Sequence, residues 1–575
     1  MANKIVLGIN DGYASCVSAL VDGVPKFNVQ EERFNKIKNY GGFPKEGIQW
    51  LSEIEKINFS DVESIGMPWV GTPFKSTDSF KNSKHKLFDT LLRVLPHSFV
   101  GSDFLINNVV KLQSKKRLEL KEVSNLLAES QLSENLVQLY PHHECHAAAS
   151  LYGSGFLKKH DDVLVITLDG SGDGESMTVW QASPNGMKKL ASQNSYHSIG
   201  IFVARLTQYM GMKPLEHEYK IMGMAPYGNG YSSQKVLDIF EKYFCLDSEG
   251  LKIINHMNAW GEGMVRRLHK DLYQVRFDSI CWAIQELFEK VCSSLVLNWV
   301  KKTNIKQVVV GGGNFMNVKL NMKLAQHDMI DDFYVLPSCG DESLALGASY
   351  LAQEKYQRGT SEPLNSLYQG PKITKEEIVE SIAKHKDKIE YRISDNINIE
   401  TAEMLAQDKI LGRCSGRAEW GARALGNRSI ICNPNKPQNI HRINQAVKKR
   451  DFWMPFCPSI LDTDADKYLL NRKKREAPHM ILAFESKEVA NDDLPCGLHP
   501  FDATARPQIV NTEKNPDYYE LLTHFKKLTN IGAIVNTSFN LHGLPIVNSA
   551  DDAIHVLLNS KLDFVTIENY ILWRK

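Results

Sequence analysis

The feature that most constrains this chain is a pattern that occurs twice. Near the N-terminus "KIVLGIND" reads as a buried strand, and "SALVDGVPKFNVQ" as a hairpin turning at Asp22-Gly23. About 160 residues later "DVLVITLDGSGDGESMTVWQAS" returns to the theme: an apolar strand, an Asp-Gly turn, a second strand. A third apolar strand, "QVVVGGG", runs into a glycine triplet, and "DESLALGASYLAQEKY" carries a strong helical pattern. Two strand–turn–strand units followed by a glycine loop predict a duplicated α/β design, with a nucleotide held between two related lobes. At 575 residues the chain is too long for one core, so two or more domains are expected.

From "EKYQRGTSEPLNSLYQGPK" the composition turns to Gly, Ser, Pro and polar residues, which predicts a linker over 356–372 between domains at 1–355 and 373–575. Beyond it the charge changes. Between Arg413 and Arg450 stand nine Lys or Arg residues and one acid, Glu419, although the whole chain carries only +1. Such a run is often a solvated face. Here, however, the cations alternate with Gly, Ser, Asn and Trp in "GRCSGRAEWGARALGNRS", and arginines fixed among glycines suit a bound phosphate or carboxylate.

The near-neutral charge gives no reason to invoke nucleic acid or an anionic membrane. "MANKIVLGIND" lacks the regions of a signal peptide, and no apolar run reaches membrane-spanning length. The ten cysteines are scattered without a C-x-x-C pair, so a reducing cytoplasm is the expected compartment.

"PHHECHAAAS" places three of the 18 histidines within five residues and follows them with four small ones. In a helix His142 and His146 are i,i+4 and share a face, which suits one metal ion; a polar helix start with surface histidines reads equally well. Asp169, ending "VLVITLD", and Asp341, in "PSCGDESLALG", are turn-edge carboxylates, and each alone is commonly structural. Together the four give two nitrogens and two oxygens, a mixture that suits Fe(II), Zn(II) or Mn(II).

At this point the sequence resembles a family. "HHECHAAAS", "LDGSGDGE", "EHEYKIMGMAPYG", "GGGNFMN", "GDESLALGAS", "GRAEWGARALGNRSI", "VKKRDFWMPFCPSIL", "TARPQIVN" and "NTSFNLHGLPIV" follow the order found in NodU/CmcH-type O-carbamoyltransferases, which act on nodulation factors, cephamycins and aminoglycosides. The resemblance spans nearly the whole chain. It implies an α/β fold with an N-terminal actin-like ATPase (ASKHA) domain, similar to the tRNA threonylcarbamoyl transferase, and a C-terminal YrdC-like α/β domain. It also implies a metal, iron foremost, at His142, His146, Asp169 and Asp341, with the small residues after the histidines letting the backbone pack near the nucleotide.

The resemblance further implies two half-reactions. In the second domain carbamoyl phosphate and ATP, with Mg2+, yield carbamoyl adenylate; in the first a hydroxyl of a small-molecule or sugar acceptor takes the carbamoyl group and AMP departs. Arg417, Arg423, Arg428, Lys448, Arg450 and Arg506 are the cations expected around the phosphates and carbamoyl group, Arg423 and Lys448 nearest the chemistry. Ser429, Asn536, Thr537, Ser538 and Asn540 are expected to bind the nucleotide there. In the first domain Gly311, Gly312 and Gly313 allow close backbone approach, and Asn314 and Asn317 are expected to hydrogen-bond the adenylate.

Two positions depart from the family pattern. Many relatives carry a histidine after the first "DG"; this chain has Tyr13, a poor base at neutral pH, so the metal-bound acceptor or His143 is left to manage the proton. Met454 replaces an arginine common in relatives, so one phosphate contact is either absent or supplied by Lys449. Two other readings compete: a tRNA threonylcarbamoylation enzyme, disfavoured by the absence of a basic N-terminal patch, and a non-catalytic actin-like nucleotide sensor, which has no use for a metal set or a second basic site. The acceptor pocket is expected in the variable stretch 70–140, which carries no readable motif.

Overall fold

The computed structural model of the chain describes residues 4–71, 73–75, 101–103, 121–448 and 450–575; much of the stretch 70–140 expected to form the acceptor pocket, and Lys449, lie outside the described residues. The chain divides into two compact units. One holds residues 1–31 and 39–365, the other residues 32–38 and 366–575.

The first unit contains two five-stranded sheets of identical topology. In one, β1 (Ile5–Asn10), β2 (Cys16–Val21), β3 (Val24–Gln30), β4 (Val62–Pro68) and β5 (Val137–Tyr140) are ordered β3-β2-β1-β4-β5. A second set comprises β6 (Val163–Gly172), β7 (Glu175–Ser183) and β8 (Gly186–Asn194). After a separate ribbon of β9 (Phe244–Leu246) and β10 (Ile253–Asn255), β11 (Gln307–Gly311) and β12 (Asp332–Val335) complete it in the order β12-β11-β6-β7-β8. In each sheet the first three strands form an antiparallel meander and the last two run parallel to the first. This is the duplicated α/β design that the repeated strand pattern predicts. Both Asp-Gly turns carry two successive positive φ angles, Asp22 and Gly23 at 52° and 78°, Asp173 and Gly174 at 50° and 81°, as a two-residue hairpin turn of the primed type requires.

Helix α1 (His142–Ser154) and helix α2 (Leu344–Tyr356) pack between the two sheets, which is why β1 and much of β6 are buried at consecutive positions and read as unbroken apolar runs. The small residues after the histidines serve this packing. Ala147, Ala148, Ala149 and Ser150 are fully buried. A Cβ at Gly347 of α2 would stand 1.8 Å from the Cys145 carbonyl oxygen of α1, and one at Gly311 would stand 2.2 Å from Ser150 Oγ. The small residues thus let α2 and β11 approach α1 closely beside the histidines.

The second unit is built on one eight-stranded mixed sheet. Its strands are β13 (Ile389–Ile393), β14 (Leu411–Cys414), β15 (Arg428–Cys432), β16 (Cys457–Leu461), β17 (Gln508–Val510), β18 (Ala533–Ser538), β19 (Phe564–Ile567) and β20 (Tyr570–Arg574). Their order is β13-β20-β19-β14-β15-β18-β16-β17, with β14/β19 and β16/β17 parallel and the other pairs antiparallel. Ile430, Val535, Val565 and Leu572 of the sheet join Ile554 and Leu557 of helix Ala550–Leu558 in its core. The division between units falls between Asn365 and Ser366, inside the expected linker. That stretch is tied down on both sides rather than free. Leu364 N–H donates to Gly153 in the first unit, and Trp420 N–H donates to Leu367 in the second.

The short segment Glu32–Lys38 of the N-terminal half belongs to the second unit, where Arg33 donates to the Gly421 carbonyl at 2.6 Å and Lys36 pairs with Asp552. Nothing in the local sequence announces this placement. All ten cysteines are free, and among the described residues no helix is long and apolar enough to cross a membrane.

Candidate functional site

Four residues from three separate stretches of the sequence converge in the first unit. His142 and His146 sit in the first turns of α1, Asp169 lies in β6 where the strand leaves the sheet, and Asp341 opens the turn leading into α2. The two Nε2 atoms are 3.0 Å apart. His142 Nε2 lies 3.3 Å from Asp169 Oδ2 and 3.9 Å from Asp341 Oδ1, and His146 Nε2 lies 3.8 Å from the same Asp341 oxygen. All four ligand atoms fall within 4.8 Å of one another. Ligands held about 2.1 Å from one ion stand about 3–4 Å from each other, so the spacing fits a single first-row metal. Two buried imidazoles brought nose to nose beside two carboxylates are otherwise a costly arrangement.

The electrostatics agree with that fit. Burial holds the His146 imidazole below its ordinary value, which keeps it neutral and able to ligate. At Asp169 burial pushes upward, but the hydrogen bond from His142 and the neighbouring imidazoles outweigh it and hold the carboxyl below the usual range. Asp341 is pushed up, first by burial and then by the nearby Asp169 and Glu342 carboxylates. An arriving cation would relieve that repulsion.

Supporting contacts orient the set. Gly313 N–H donates to Asp169 Oδ1 at 2.8 Å, and His146 Nδ1 meets Ser343 Oγ at 2.9 Å. Gly312 adopts φ +92° and brings the loop onto Leu168. The glycine triplet after β11 therefore lies against the metal-type cluster, at the carboxyl ends of parallel strands where α/β sheets bind ligands. Gly172 leaves no room for a side chain, since a Cβ there would stand 2.0 Å from His142 Cγ. Gly172→Ala is expected to push the imidazole aside and lose bound metal in elemental analysis while the protein stays folded; full metal content in that variant would contradict the geometry.

Other residues singled out from the first half are placed as follows. Asn314 lies against Gly200, which also adjoins the Asp169 carbonyl, whereas Asn317 caps the helix Val318–Ala325 and exchanges hydrogen bonds with Gln285. His143 is 1% exposed, its Nδ1 is 2.7 Å from Thr167 Oγ1, and burial and the adjacent His142 keep its pKa well below normal. Tyr13 directs its hydroxyl to the Leu215 carbonyl at 3.5 Å. Burial first, then Glu216, Asp341, Glu218 and Glu342, push the phenol upward, so it stays protonated and able to donate.

The second unit gathers a different constellation. Lys448 is buried, and its Nζ donates to the carbonyl and hydroxyl of Ser538 and to the carbonyl and side-chain oxygens of Asn540. Burial, together with the positive charges of Arg450 and Lys38, holds its pKa well below normal. Arg450 donates to Thr537 Oγ1 at 3.0 Å. "NTSFN" thus meets "VKKR" as the motif order suggests, and Lys38 is a cation that sequence reasoning missed. Arg417 donates to the Gly370 carbonyl at 3.0 Å, Arg506 donates twice to Cys457 Sγ, and Arg423 is half-buried in the loop before β15.

Three expected ligand contacts meet a physical obstacle. Arg428 is 1% exposed and donates to the carbonyls of Ser415, Asn427, Pro371 and Gly416, so it is a strut binding the loop to the strand rather than an open anion clamp. Ser429 accepts from Gly426 N–H inside β15, and Asn536 is tied to Ser459 and Gln508 in the core. All three side chains are buried, with Arg428 Nε and Asn536 Oδ1 left without a hydrogen-bond partner among the described residues. Glu419, the one acid of the basic stretch, accepts from the N–H groups of Leu425, Asn427 and Arg428 and shapes the same loop.

Comparison with known proteins accords with this arrangement. Residues 5–350 match the family model described as Carbamoyltransferase N-terminus, and residues 402–574 match Carbamoyltransferase C-terminus. An uncharacterised protein of Methanocaldococcus jannaschii is 30% identical over 96% of each chain. The nodulation protein NolNO of Sinorhizobium fredii is 30% identical over 99% of this chain and 79% of its own length, and the nodulation protein NolO of Bradyrhizobium diazoefficiens is 31% identical over 76% and 79%. A chain matched in both halves by these models, with the clustered histidines and aspartates in one unit and the buried lysine in the other, belongs to the carbamoyltransferase family and is a transferase.

Proposed function

We propose that the chain makes carbamoyl adenylate from carbamoyl phosphate and ATP in its second unit, and that its first unit passes the carbamoyl group to a hydroxyl of a small-molecule or sugar acceptor. The observation that carries this reading is the pairing, in one chain, of a buried lysine wrapped in oxygens beside Arg450 with a separate metal-type cluster. Carbamate is a poor electrophile and needs a leaving group. Water releases phosphate from carbamoyl phosphate, the carbamate oxygen attacks the α-phosphorus of ATP, and pyrophosphate leaves. The acceptor oxygen then bonds to the carbamoyl carbon as the bond to AMP breaks and the hydroxyl proton departs.

In this scheme Lys448, Arg450 and Arg423 compensate charge on the phosphates, with Arg417 and Arg506 at the edge and Thr537, Ser538 and Asn540 lining the floor. Arg428 and Glu419 keep the loop in shape. His142, His146, Asp169 and Asp341 would hold a divalent metal, iron foremost, which when bound supplies Lewis-acid polarisation of a phosphate or carbamoyl oxygen. The Gly311–Gly313 loop and Asn314 stand beside it where adenylate would lie. Ten free cysteines suit a cytoplasmic site of action.

The test is product analysis: full-length protein with ATP, Mg2+, carbamoyl phosphate and a library of hydroxylated metabolites should release pyrophosphate and yield an acceptor in which one hydrogen is replaced by a carbamoyl group. Absence of carbamoyl-phosphate-dependent pyrophosphate release would sink the reading.

Tyr13 offers a finer check. A protonated phenol near the cluster orients the acceptor rather than taking its proton. Tyr13→Phe is therefore expected to slow transfer from preformed carbamoyl adenylate several-fold, on the order of one hydrogen bond, and Tyr13→His to be tolerated. Near-complete inactivity of the Phe variant, with unchanged thermal stability, would make the phenol a proton-transfer group instead.

A further inference from the structure

We propose that Asp173 is the positioning residue of the metal centre, holding His142 in place through two backbone segments at once. Asp173 occupies the first position of the two-residue turn between β6 and β7, where Asp-Gly is favoured for its backbone conformation alone. Such a turn asks nothing of the side chain. Here the carboxylate nevertheless accepts three backbone hydrogen bonds: Oδ2 from His142 N–H at 2.9 Å and Val70 N–H at 3.2 Å, Oδ1 from Gly71 N–H at 2.8 Å.

The His142 contact matters because of what that imidazole lacks. A metal-binding histidine is ordinarily oriented by a hydrogen bond to its other ring nitrogen. His146 has one, to Ser343, but His142 Nδ1 is buried with no hydrogen-bond partner among the described residues. Packing must therefore set its orientation. Gly172 closes one side of the ring, and the Trp69 ring stands against it edge-on, with centroids 4.3 Å apart. His142 N–H is also a donor of the first helical turn, without an intrahelical acceptor, so the carboxylate anchors the end of α1 itself.

The other two hydrogen bonds act through Trp69. This bulky, buried residue adopts φ +73°, a conformation that side chains of its size rarely hold unless their surroundings impose it. Asp173 grips the two residues that follow it. Held there, Trp69 also donates from Nε1 to Asn10 Oδ1 at 3.1 Å, and Asn10 Nδ2 donates to the backbone oxygen of Asp341, likewise at 3.1 Å. One carboxylate thus reaches His142 directly and Asp341 through Trp69 and Asn10. Two of the four ligands answer to a hairpin turn that is not itself a ligand.

The inference rests on the reading of His142, His146, Asp169 and Asp341 as a metal centre, and cobalt distinguishes the two. Full-length protein freed of metal would be titrated with Co2+ against a chelator well below its melting temperature, with the visible ligand-field spectrum recorded and the melting temperature of the metal-free form measured alongside. Asp173→Ala is expected to weaken Co2+ binding about 10- to 100-fold, the range for residues that orient metal ligands, and to change the band positions. Trp69→Phe, which keeps a ring but loses the bond to Asn10, should show a smaller change in the same sense and serves if Asp173→Ala does not fold. Wild-type protein that binds no Co2+ overturns the metal centre. Wild-type binding with unchanged affinity and spectrum in the variants, whatever their melting temperatures, overturns the role of Asp173 alone.

Discussion

His146→Ala protein is expected to purify folded, with metal content falling from close to one equivalent to none, and to lose carbamoyl transfer by about a thousandfold or more. Lewis-acid polarisation supplies several kcal/mol to a transition state, and about 1.4 kcal/mol is a factor of ten in rate. The residue contributes one of only two nitrogens in the cluster and is fully buried, so its removal leaves the cluster short of a ligand that the surrounding protein does not replace. Metal retention should also depend on pH. His146 is held neutral, so it does not compete through its own proton near pH 7, whereas Asp341 is held protonated above the usual carboxylate range. The ion must displace that proton, so affinity climbs as pH rises through the Asp341 value, with proton release on binding. Elemental analysis and a chelator competition across pH measure both. Active His146→Ala protein with no iron, zinc or manganese would remove the metal from the reaction.

The second large effect belongs to Lys448. Lys448→Ala is expected to abolish pyrophosphate release from ATP and carbamoyl phosphate, by about two to three orders of magnitude for a lost charge-stabilising donor, while transfer from preformed carbamoyl adenylate continues. His142→Ala should do the reverse. Equal loss of adenylate formation in both variants would overturn the division of labour between units. The sign of the pH dependence follows from the depressed pKa. Without ligand the folded protein disfavours the ammonium, so this residue's contribution to stability is greatest above the ordinary lysine value and is lost as pH falls through the folded value. A bound phosphate reverses the preference and draws a proton in. Affinity for carbamoyl phosphate should therefore weaken as pH rises through the folded value of Lys448. Lys448→Arg, charged at every accessible pH, should flatten that profile in a binding titration.

Much of this protein is decided by local pattern. The twin Asp-Gly turns need two successive positive φ angles, and the residues that allow them stand in the chain at Asp22-Gly23 and Asp173-Gly174. The unbroken apolar runs of β1 and β6 follow from burial on both faces. His142 and His146 share a face because helical periodicity puts them there. What chain order cannot express is which partners meet across hundreds of residues. The packing that fills the space beside the histidines with α2 and Gly311, the transfer of Glu32–Lys38 to the second unit, and the commitment of Arg428 to four carbonyls all arise from contacts with no short-range signature. An arginine aimed at a ligand and one sealed into a loop share the same residue type and the same neighbours in sequence. Burial alone separates them, and burial is a property of the whole fold. Asp173 is the sharpest instance: the turn explains the residue by its backbone, and only the approach of His142 and of Val70–Gly71 in space gives its carboxylate work to do.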